Sequence, residues 1–304
     1  MTQVLLRCPS SPLRSGFTTG ACAAAAAKGA ALMLAHQITV SEVTIELPAG
    51  ISATFRLYGQ ICSLDRASCF VIKDAGDDPD VTNGAEVHAS VSRGPCTTPG
   101  CAGGIIIEGG KGIGRVTKPG LAVPPGEWAI NPVPRRMIEE AVACVVFPTS
   151  DSRTRIMDAF HVTISIPDGE ERSKKTLNAR LGIIGGLSIL GTTGIVRPIS
   201  AKAWTDTMDA ALDVAKACGC ETVVLSTGRT SEMAAQRHLQ NIGTHCHAPN
   251  LGSQQSAPPP LPEEAYIMMG DHIAYALQAC QRRGFKQPFI ACQFAKLLKI
   301  ACGH

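Results

Sequence analysis

Ser15-Gly16-Phe17-Thr18-Thr19-Gly20-Ala21-Cys22-Ala23-Ala24-Ala25-Ala26-Ala27-Lys28 is the stretch that sets the first half of the chain. Thr18 or Thr19 is a natural N-cap, because a hydroxyl accepts from the free amides of a first helical turn. The alanines then predict a helix to about His36, since alanine has the highest helix propensity. Lys28 and Gly29 interrupt the apolar run, which falls short of the roughly 20 residues a membrane span needs. Short β-type segments follow at Glu42–Leu47, Ala53–Tyr58, Cys69–Ile72, Glu86–Ser92, Ile105–Glu108 and Phe160–Ile166. They alternate or carry β-branched residues. A helix is predicted from Pro134 to about Val146, with proline at its entry, and a short one from Lys174 to about Leu181. This half reads as α+β.

At Gly185-Gly186 the pattern changes. Strands are predicted at Leu187–Leu190, Thr222–Leu225, Tyr266–Met269 and Phe289–Cys292, each followed by a turn. Helices are predicted at Ser200–Cys218, from Arg229 to about Leu239, at Asp271–Arg283 and at Phe294–Cys302. Strand, glycine turn and helix in repetition predict a small parallel α/β sheet. The boundary falls near Gly185, giving an α+β domain over 1–185 and an α/β domain over 186–304. The proline-rich stretch Ala248–Pro262 reads as a linker.

Composition narrows the function classes. With 304 residues, 45% hydrophobic and 17% charged, the chain can build cores and is not disordered. Its net charge of +3 comes without a lysine or arginine run, and aromatic residues are 4%. A nucleic-acid footprint is not indicated, and few base-stacking platforms are left. No signal peptide or membrane segment is read. The thirteen cysteines include no Cys-x-x-Cys pair; they read as reduced thiols of a cytoplasmic protein, mostly small core residues. His245-Cys246-His247 looks metal-like, but adjacent residues do not easily converge on one ion, so no metal site is assigned.

Four segments carry candidate chemistry. Ser15–Gly20 reads as a capped helix start or as an anion site, with the Thr18 and Thr19 hydroxyls as donors. Lys73-Asp74-Ala75-Gly76-Asp77-Asp78-Pro79-Asp80 gathers four carboxylates, which must be solvated or matched by a cation. It is not a calcium loop: counted from Asp78, glycine arrives one place late at Gly84 and Ala89 stands in the closing glutamate position. Gly109–Gly120 brings Lys111, Arg115 and Lys118 together on a flexible backbone, as a hairpin or an acidic-ligand loop. It is neither a dinucleotide fingerprint nor a P-loop. Arg135 and Arg136 add charge near a helix start. Gly185–Gly194, followed by Arg197, and Ser226-Thr227-Gly228-Arg229 read as loops at neighbouring ends of one parallel sheet, where α/β proteins bind ligands. No nucleophile–base set is legible. The residues alone reach a two-domain protein for an acidic ligand, and no reaction.

Taken together, Gly16–Lys28, Lys73–Thr82, Gly110–Leu121, Ala129–Arg136, Leu181–Ser200, Ser226–Arg229 and Gly270-Asp271 resemble, in order, the motifs of the cobalt-precorrin-5B (C-1)-methyltransferases, the CbiD family. The resemblance spans about residues 14 to 304. It implies a first domain in a permuted form of the fold used by GHMP kinases, then a small parallel α/β domain. It implies methyl transfer from S-adenosylmethionine to carbon 1 of cobalt-precorrin-5B in anaerobic cobalamin synthesis, with a tetrapyrrole as the small-molecule partner. On that reading Asp74, Asp77, Asp78 and Gly191, Thr192, Thr193, Gly194 serve the cofactor. Thr18, Thr19, Lys111, Arg115, Lys118, Arg135, Arg136 and Arg197 serve the ring carboxylates. The catalytic group is left unassigned, and a homo-oligomer is compatible with the chain. The family usually continues beyond the segment resembling Lys296–His304, so a further C-terminal piece is expected. Cys292-Gln293-Phe294-Ala295 departs from the family's small turn. The alternatives are a tetrapyrrole carrier, which would bind the ring but not the donor, and a small-molecule kinase, for which no phosphate loop is found.

Overall fold

The alanine-rich stretch forms a helix, α1 (Thr19–His36), in the computed structural model, which describes residues 13–95, 104–147, 158–245 and 261–302. Thr18 is its N-cap, accepting from the Ala21 amide at 3.2 Å. Gln37, at φ 54°, ends it by returning its N–H to the Met33 carbonyl at 2.8 Å. Residues Thr19 to Leu34 are buried apart from Lys28 and Leu32. A helix that is apolar all round belongs inside a core. Around α1 pack the hairpin β2 (Glu42–Leu47) and β3 (Ile51–Arg56), strands of a larger sheet, and α2 (Pro132–Val146). Gly29 permits this: a Cβ there would stand 2.4 Å from the Leu57 Cδ1.

The larger sheet has five strands in the order β4 (Tyr58–Cys62), β5 (Arg66–Ile72), β6 (Glu86–Pro95), β9 (Asp158–Ser165) and β7 (Ile105–Gly109). All neighbours are antiparallel except β7 and β9. Val87, Ala89 and Val91 of β6 and Val162 and Ile164 of β9 alternate into the core with α1. Two minor pairs complete this region: β1 (Gly16–Phe17) with β11 (Ile195–Val196), and β8 (Arg115–Val116) with β10 (Ile183–Ile184).

Two local expectations are corrected. Lys174–Leu181 is a series of turns, and the short helix α3 (Gly169–Ser173) precedes it. The Ser173 and Thr176 hydroxyls donate to the Glu170 and Ser173 carbonyls at 2.7 Å each, which competes with helix continuation. Leu187–Leu190 is not a strand of the parallel sheet. Leu187 and Ile189 make isolated bridges to Ile113 and Ile130 and are buried in the α1 core.

Below α1 and its sheet in the sequence lies a three-layer α/β arrangement. Its elements are α4 (Ala201–Ala217), β12 (Val224–Ser226), α5 (Arg229–His245), β13 (Tyr266–Met268), α6 (Ile273–Arg282), β14 (Phe289–Ala291) and α7 (Phe294–Ala301). The sheet order is β13-β12-β14, with every pair parallel. Met208 and Leu212 of α4 and Ala276 and Ala279 of α6 pack on Leu225 and Ile267. Val224 and Ser226, by the alternation of a strand, face the other side, and α5 packs on the same sheet.

By contacts the described residues divide into two units. The first takes the chain up to Val116, then Gly126–Ala179 and Ile183–Ile199; the second takes Thr117–Pro125, Arg180–Gly182 and the chain from Ser200. Gly185 therefore lies inside the first unit. The two excursions join the second unit by specific contacts. Gly120, at φ 103°, is pressed on α4, where a Cβ would meet the Asp213 carbonyl oxygen at 2.5 Å. Among the described residues no helix is long and apolar enough to cross a membrane. Of the described cysteines, Cys22, Cys69, Cys220 and Cys280 are buried, while Cys62, Cys144, Cys218 and Cys302 are exposed, so core placement covers fewer of them than expected. Cys246 and His247 lie outside the described residues.

Candidate functional site

Three of the four candidate segments meet in the first unit. The pairing of β1 with β11 brings Ser15–Gly20 beside Gly191–Gly194. The Thr18 amide donates to the Gly194 carbonyl at 3.0 Å and the Gly20 amide to the Leu190 carbonyl at 3.1 Å. The Thr19 hydroxyl donates to the Leu190 carbonyl at 3.2 Å and accepts the Leu190 amide at 3.0 Å. On the other flank, the Phe17 amide donates to the Asp74 carbonyl at 2.7 Å, and the Asp77 amide to the Arg14 carbonyl at 2.9 Å. Gly191 is needed for the close approach: a Cβ would stand 2.5 Å from the Thr18 Oγ1.

The acidic loop is occupied by the chain itself. Asp74 accepts from the Arg14 guanidinium, at 2.9 Å for one arm, and from the Gly76 amide at 2.9 Å. The Arg14 hydrogen bond holds its carboxyl below the usual range. Asp77 accepts the Arg14 amide at 2.6 Å, and Asp78 accepts the Ile199 amide at 3.0 Å. Asp80 takes the Lys73 ammonium at 2.6 Å and the Thr82 amide at 2.7 Å. Burial alone would push its carboxyl up; Lys73 and Thr82 overcome this and hold it below its ordinary value. The Lys73 side chain is 1% exposed. Asn83 accepts the Ala75 amide at 3.0 Å, and Arg172 of α3 donates to the Val81 and Asn83 carbonyls at 2.6 and 3.0 Å. Sequence reasoning missed the roles of Arg14, Lys73, Asn83 and Arg172; nothing in a single sequence marks these four as partners.

The predicted cations divide into engaged and free. The Arg115 guanidinium lies 3.9 Å from the Trp128 ring centre and donates to the Gly126 carbonyl at 2.6 Å. Arg135 donates to the Ile107 carbonyl at 3.2 Å. Lys118 belongs to the second unit, where it pairs with Glu264 at 2.7 Å and donates to the Arg180 carbonyl at 3.2 Å. Lys111, Arg136 and Arg197 are exposed and make no ion pair with described residues. The glycines of the third segment serve chain packing. Gly112, at φ 75°, accepts the Leu187 amide at 2.9 Å, and a Cβ there would stand 1.9 Å from the Ile166 carbonyl oxygen.

Gly185–Gly194 and Ser226–Arg229, expected at neighbouring strand ends of one sheet, are corrected. The former lies in the first unit and only the latter ends a strand of the parallel sheet. In the second unit Ser226–Arg229 leads from β12 into α5, and Gly270-Asp271 leads from β13 towards α6. The first turn of α5 carries a buried charge. Glu232, whose side chain is 0% exposed, accepts from Arg180 at 2.9 Å and from Arg229 at 3.0 Å. Arg180 also donates to the Tyr266 carbonyl at 3.0 Å. Sequence reasoning did not single out Glu232 or Arg180.

A family model described as CbiD matches residues 7–198, which include all three segments of the turn cluster. The chain belongs to the CbiD family. It is 63% identical, over 97% of its length and 75% of the relative's, to a Pelobacter propionicus protein named Cobalt-precorrin-5B C(1)-methyltransferase. A Geobacter metallireducens protein of the same name is 62% identical over 96% of this chain and 75% of that protein. A crystal structure of the cobalamin biosynthesis protein CbiD from Archaeoglobus fulgidus is similar at a TM-score of 0.46 and 29% identity, over 96% of this chain and 80% of that one. The CbiD match ends before α4, whereas the two relatives extend the similarity across the parallel sheet.

Proposed function

We propose that this chain transfers a methyl group from S-adenosylmethionine to carbon 1 of cobalt-precorrin-5B, giving cobalt-precorrin-6A and S-adenosylhomocysteine within cobalamin synthesis. The observation that carries the reading is the 63% identity to the Pelobacter propionicus protein of that name. The substrate is a tetrapyrrole fringed with carboxylates, and its own carbon is the nucleophile. When bound, S-adenosylmethionine supplies an electrophilic methyl on a sulfonium. Carbon 1 of the ring takes that methyl as the S–CH3 bond breaks, and the sulfur keeps the electron pair. No covalent enzyme intermediate is required, in keeping with a sequence in which no nucleophile–base set is legible. The protein's contribution is positioning, which supplies up to roughly 7–11 kcal/mol in favourable cases.

The residues of the first unit fit a polycarboxylate. Lys111, Arg136 and Arg197 have no ion pair among the described residues and are free to form charge-assisted bonds. Arg115 and Arg135 are held in place by carbonyls and have guanidinium donors to spare. Thr18 and Thr19 are buried and hold the turns together, while Thr192 and Thr193 of the Gly191–Gly194 turn are exposed. Asp74, Asp77 and Asp78, expected to serve the cofactor, have their carboxylates taken by the Arg14 guanidinium and by the Arg14 and Ile199 amides; here they serve instead by shaping the turns that Gly191–Gly194 abuts. The mixed five-stranded sheet with α1 and α2 packed together supports the permuted GHMP-kinase form for this unit.

Incubation of the full chain with methyl-labelled S-adenosylmethionine and cobalt-precorrin-5B tests the reading. Label in the ring, with S-adenosylhomocysteine released, is the expected result. A ring that binds in calorimetry yet never acquires label would favour the carrier alternative instead.

A further inference from the structure

The two motifs of the second unit, Ser226–Arg229 and Gly270-Asp271, have no part in the turn cluster, and both stand at the carboxyl edge of the parallel sheet. β12 and β13 are neighbours in register, Ser226 beside Met268, and the Met269 amide donates to the Ser226 carbonyl at 2.8 Å. From there the chain diverges. The segment after β13 leads to α6, which packs with α4 on the Leu225 and Ile267 side. The segment after β12 leads to α5, which by strand alternation covers the opposite side. Adjacent strands whose connections leave to opposite faces open a crevice at their carboxyl ends, the usual ligand position of an open α/β sheet.

The lining of this edge is selective. α4 precedes β12 and runs against the strands, so its first turn returns to the carboxyl edge. There Trp204 is 47% exposed, and its ring lies 3.8 Å from where a Gly270 Cβ would be. Nothing stands within 4 Å of a Cβ at Gly228, so that backbone is open to an approaching molecule. Asp271 is exposed, with Lys296 on one oxygen at 2.7 Å. Two of the nearby cations are engaged, Lys296 on Asp271 and Arg229 on the buried Glu232, and the Lys299 ammonium adds its charge close to Asp271. An edge led by an exposed indole and an exposed carboxylate is poorly suited to a polyanionic ring. It suits a flat, uncharged ring system carrying hydroxyls.

We propose that this crevice binds the adenosine part of the methyl donor, with Trp204 stacked on the adenine, Asp271 accepting from the ribose hydroxyls and Gly228 admitting the close approach. The inference rests on the methyl-transfer reading above. An aromatic–base stack is worth enough to change affinity about tenfold.

The test uses the full chain with Trp128→Phe, which leaves Trp204 as its one tryptophan, titrated with S-adenosylhomocysteine. The Trp204 emission should quench on binding. Calorimetry should give about a tenfold weaker affinity for Trp204→Ala, within about threefold of wild type for Trp204→Phe, and several-fold weaker for Asp271→Asn. Trp204→Phe retains a ring, so recovery with it separates lost stacking from a misfolded variant. Unchanged Trp204 emission, with Trp204→Ala binding as tightly as wild type, would overturn the site while leaving methyl transfer standing. Absence of S-adenosylhomocysteine binding by the wild-type chain would remove both.

Discussion

Gly76 and Gly228 both stand in glycine turns among short polar residues, and their surroundings are opposite. A Cβ at Gly76, where φ is 69°, would lie 2.1 Å from the Arg14 carbonyl oxygen; at Gly228 it would meet nothing within 4 Å. In the first unit the turns are closed on one another. The Thr18 and Phe17 amides and the Asp74, Asp77 and Asp78 carboxylates are spent within the chain. At the strand edge of the second unit the glycine is open and a tryptophan lies half exposed. A glycine-rich motif thus records either the tight approach of two backbones or room for a ligand, and only its neighbours tell which.

The contrast is sharpest in stability. Gly76→Ala combines left-handed strain with a clash against backbone, and should cost about 3 kcal/mol or more. Gly228→Ala should stay within about 1 kcal/mol. Urea unfolding followed by a probe in each unit measures both, and a Gly76→Ala cost no larger than that of Gly228→Ala would break the comparison.

A buried charge anchors the second unit as turns anchor the first. Arg180→Met leaves Glu232 with the largely exposed Arg229 and a long hydrogen bond from Gln236, and should cost the second unit about 3 kcal/mol. Hydrogen exchange at the β12 and β13 amides should accelerate while that of β6 does not. Equal acceleration in both would show that the network is not local to this unit.

A smaller loss than at Gly76 or Arg180 is expected for Lys73 and Asp80. Lys73→Met should cost about 2 kcal/mol, less than for a fully buried pair because Asp80 is partly exposed. The sign with pH follows from Asp80, whose folded carboxyl is held below its ordinary value. Its contribution is fully present above the unfolded pKa of about 4 and disappears as pH falls through the lower folded value. Without the Lys73 ammonium, its two lowering influences are lost while burial remains, so that carboxyl rises from its wild-type position and acid unfolding of Lys73→Met should begin at higher pH than in the wild type. Acid titrations followed by circular dichroism would reveal an unmoved onset, which would mean that the pair does not buckle this loop.

The sequence went furthest where a signal is local. The Thr18 cap and the α1 helix to His36, the Glu42–Leu47 strand and the short strands of the parallel sheet all follow from capping, propensity or alternation over a few residues. It was misleading at Leu187–Leu190, whose apolar run suits a strand of either unit; burial against Ile113 and Ile130 decided it. Strand β4 passed unnoticed because Gly59, at φ 59°, breaks its alternation, and the Phe70 ring against which Gly59 sits is distant in sequence. The family itself was legible, since its motifs are ordered along the chain.

What the sequence determined alone is therefore the alanine helix, the αβ alternation from Ser200 onward and the inventory of glycine turns, acids and cations. Tertiary structure decided which of those acids and cations are consumed by partners. It gave Asp74 to Arg14, Lys73 to Asp80, Lys118 to Glu264 and Glu232 to Arg180 and Arg229, and left Lys111, Arg136 and Arg197 without described partners. The reason is range. Helix caps and strand alternation are set by neighbours a few residues away, whereas most of these ion pairs join residues dozens of positions apart, and only the fold fixes the distance between them.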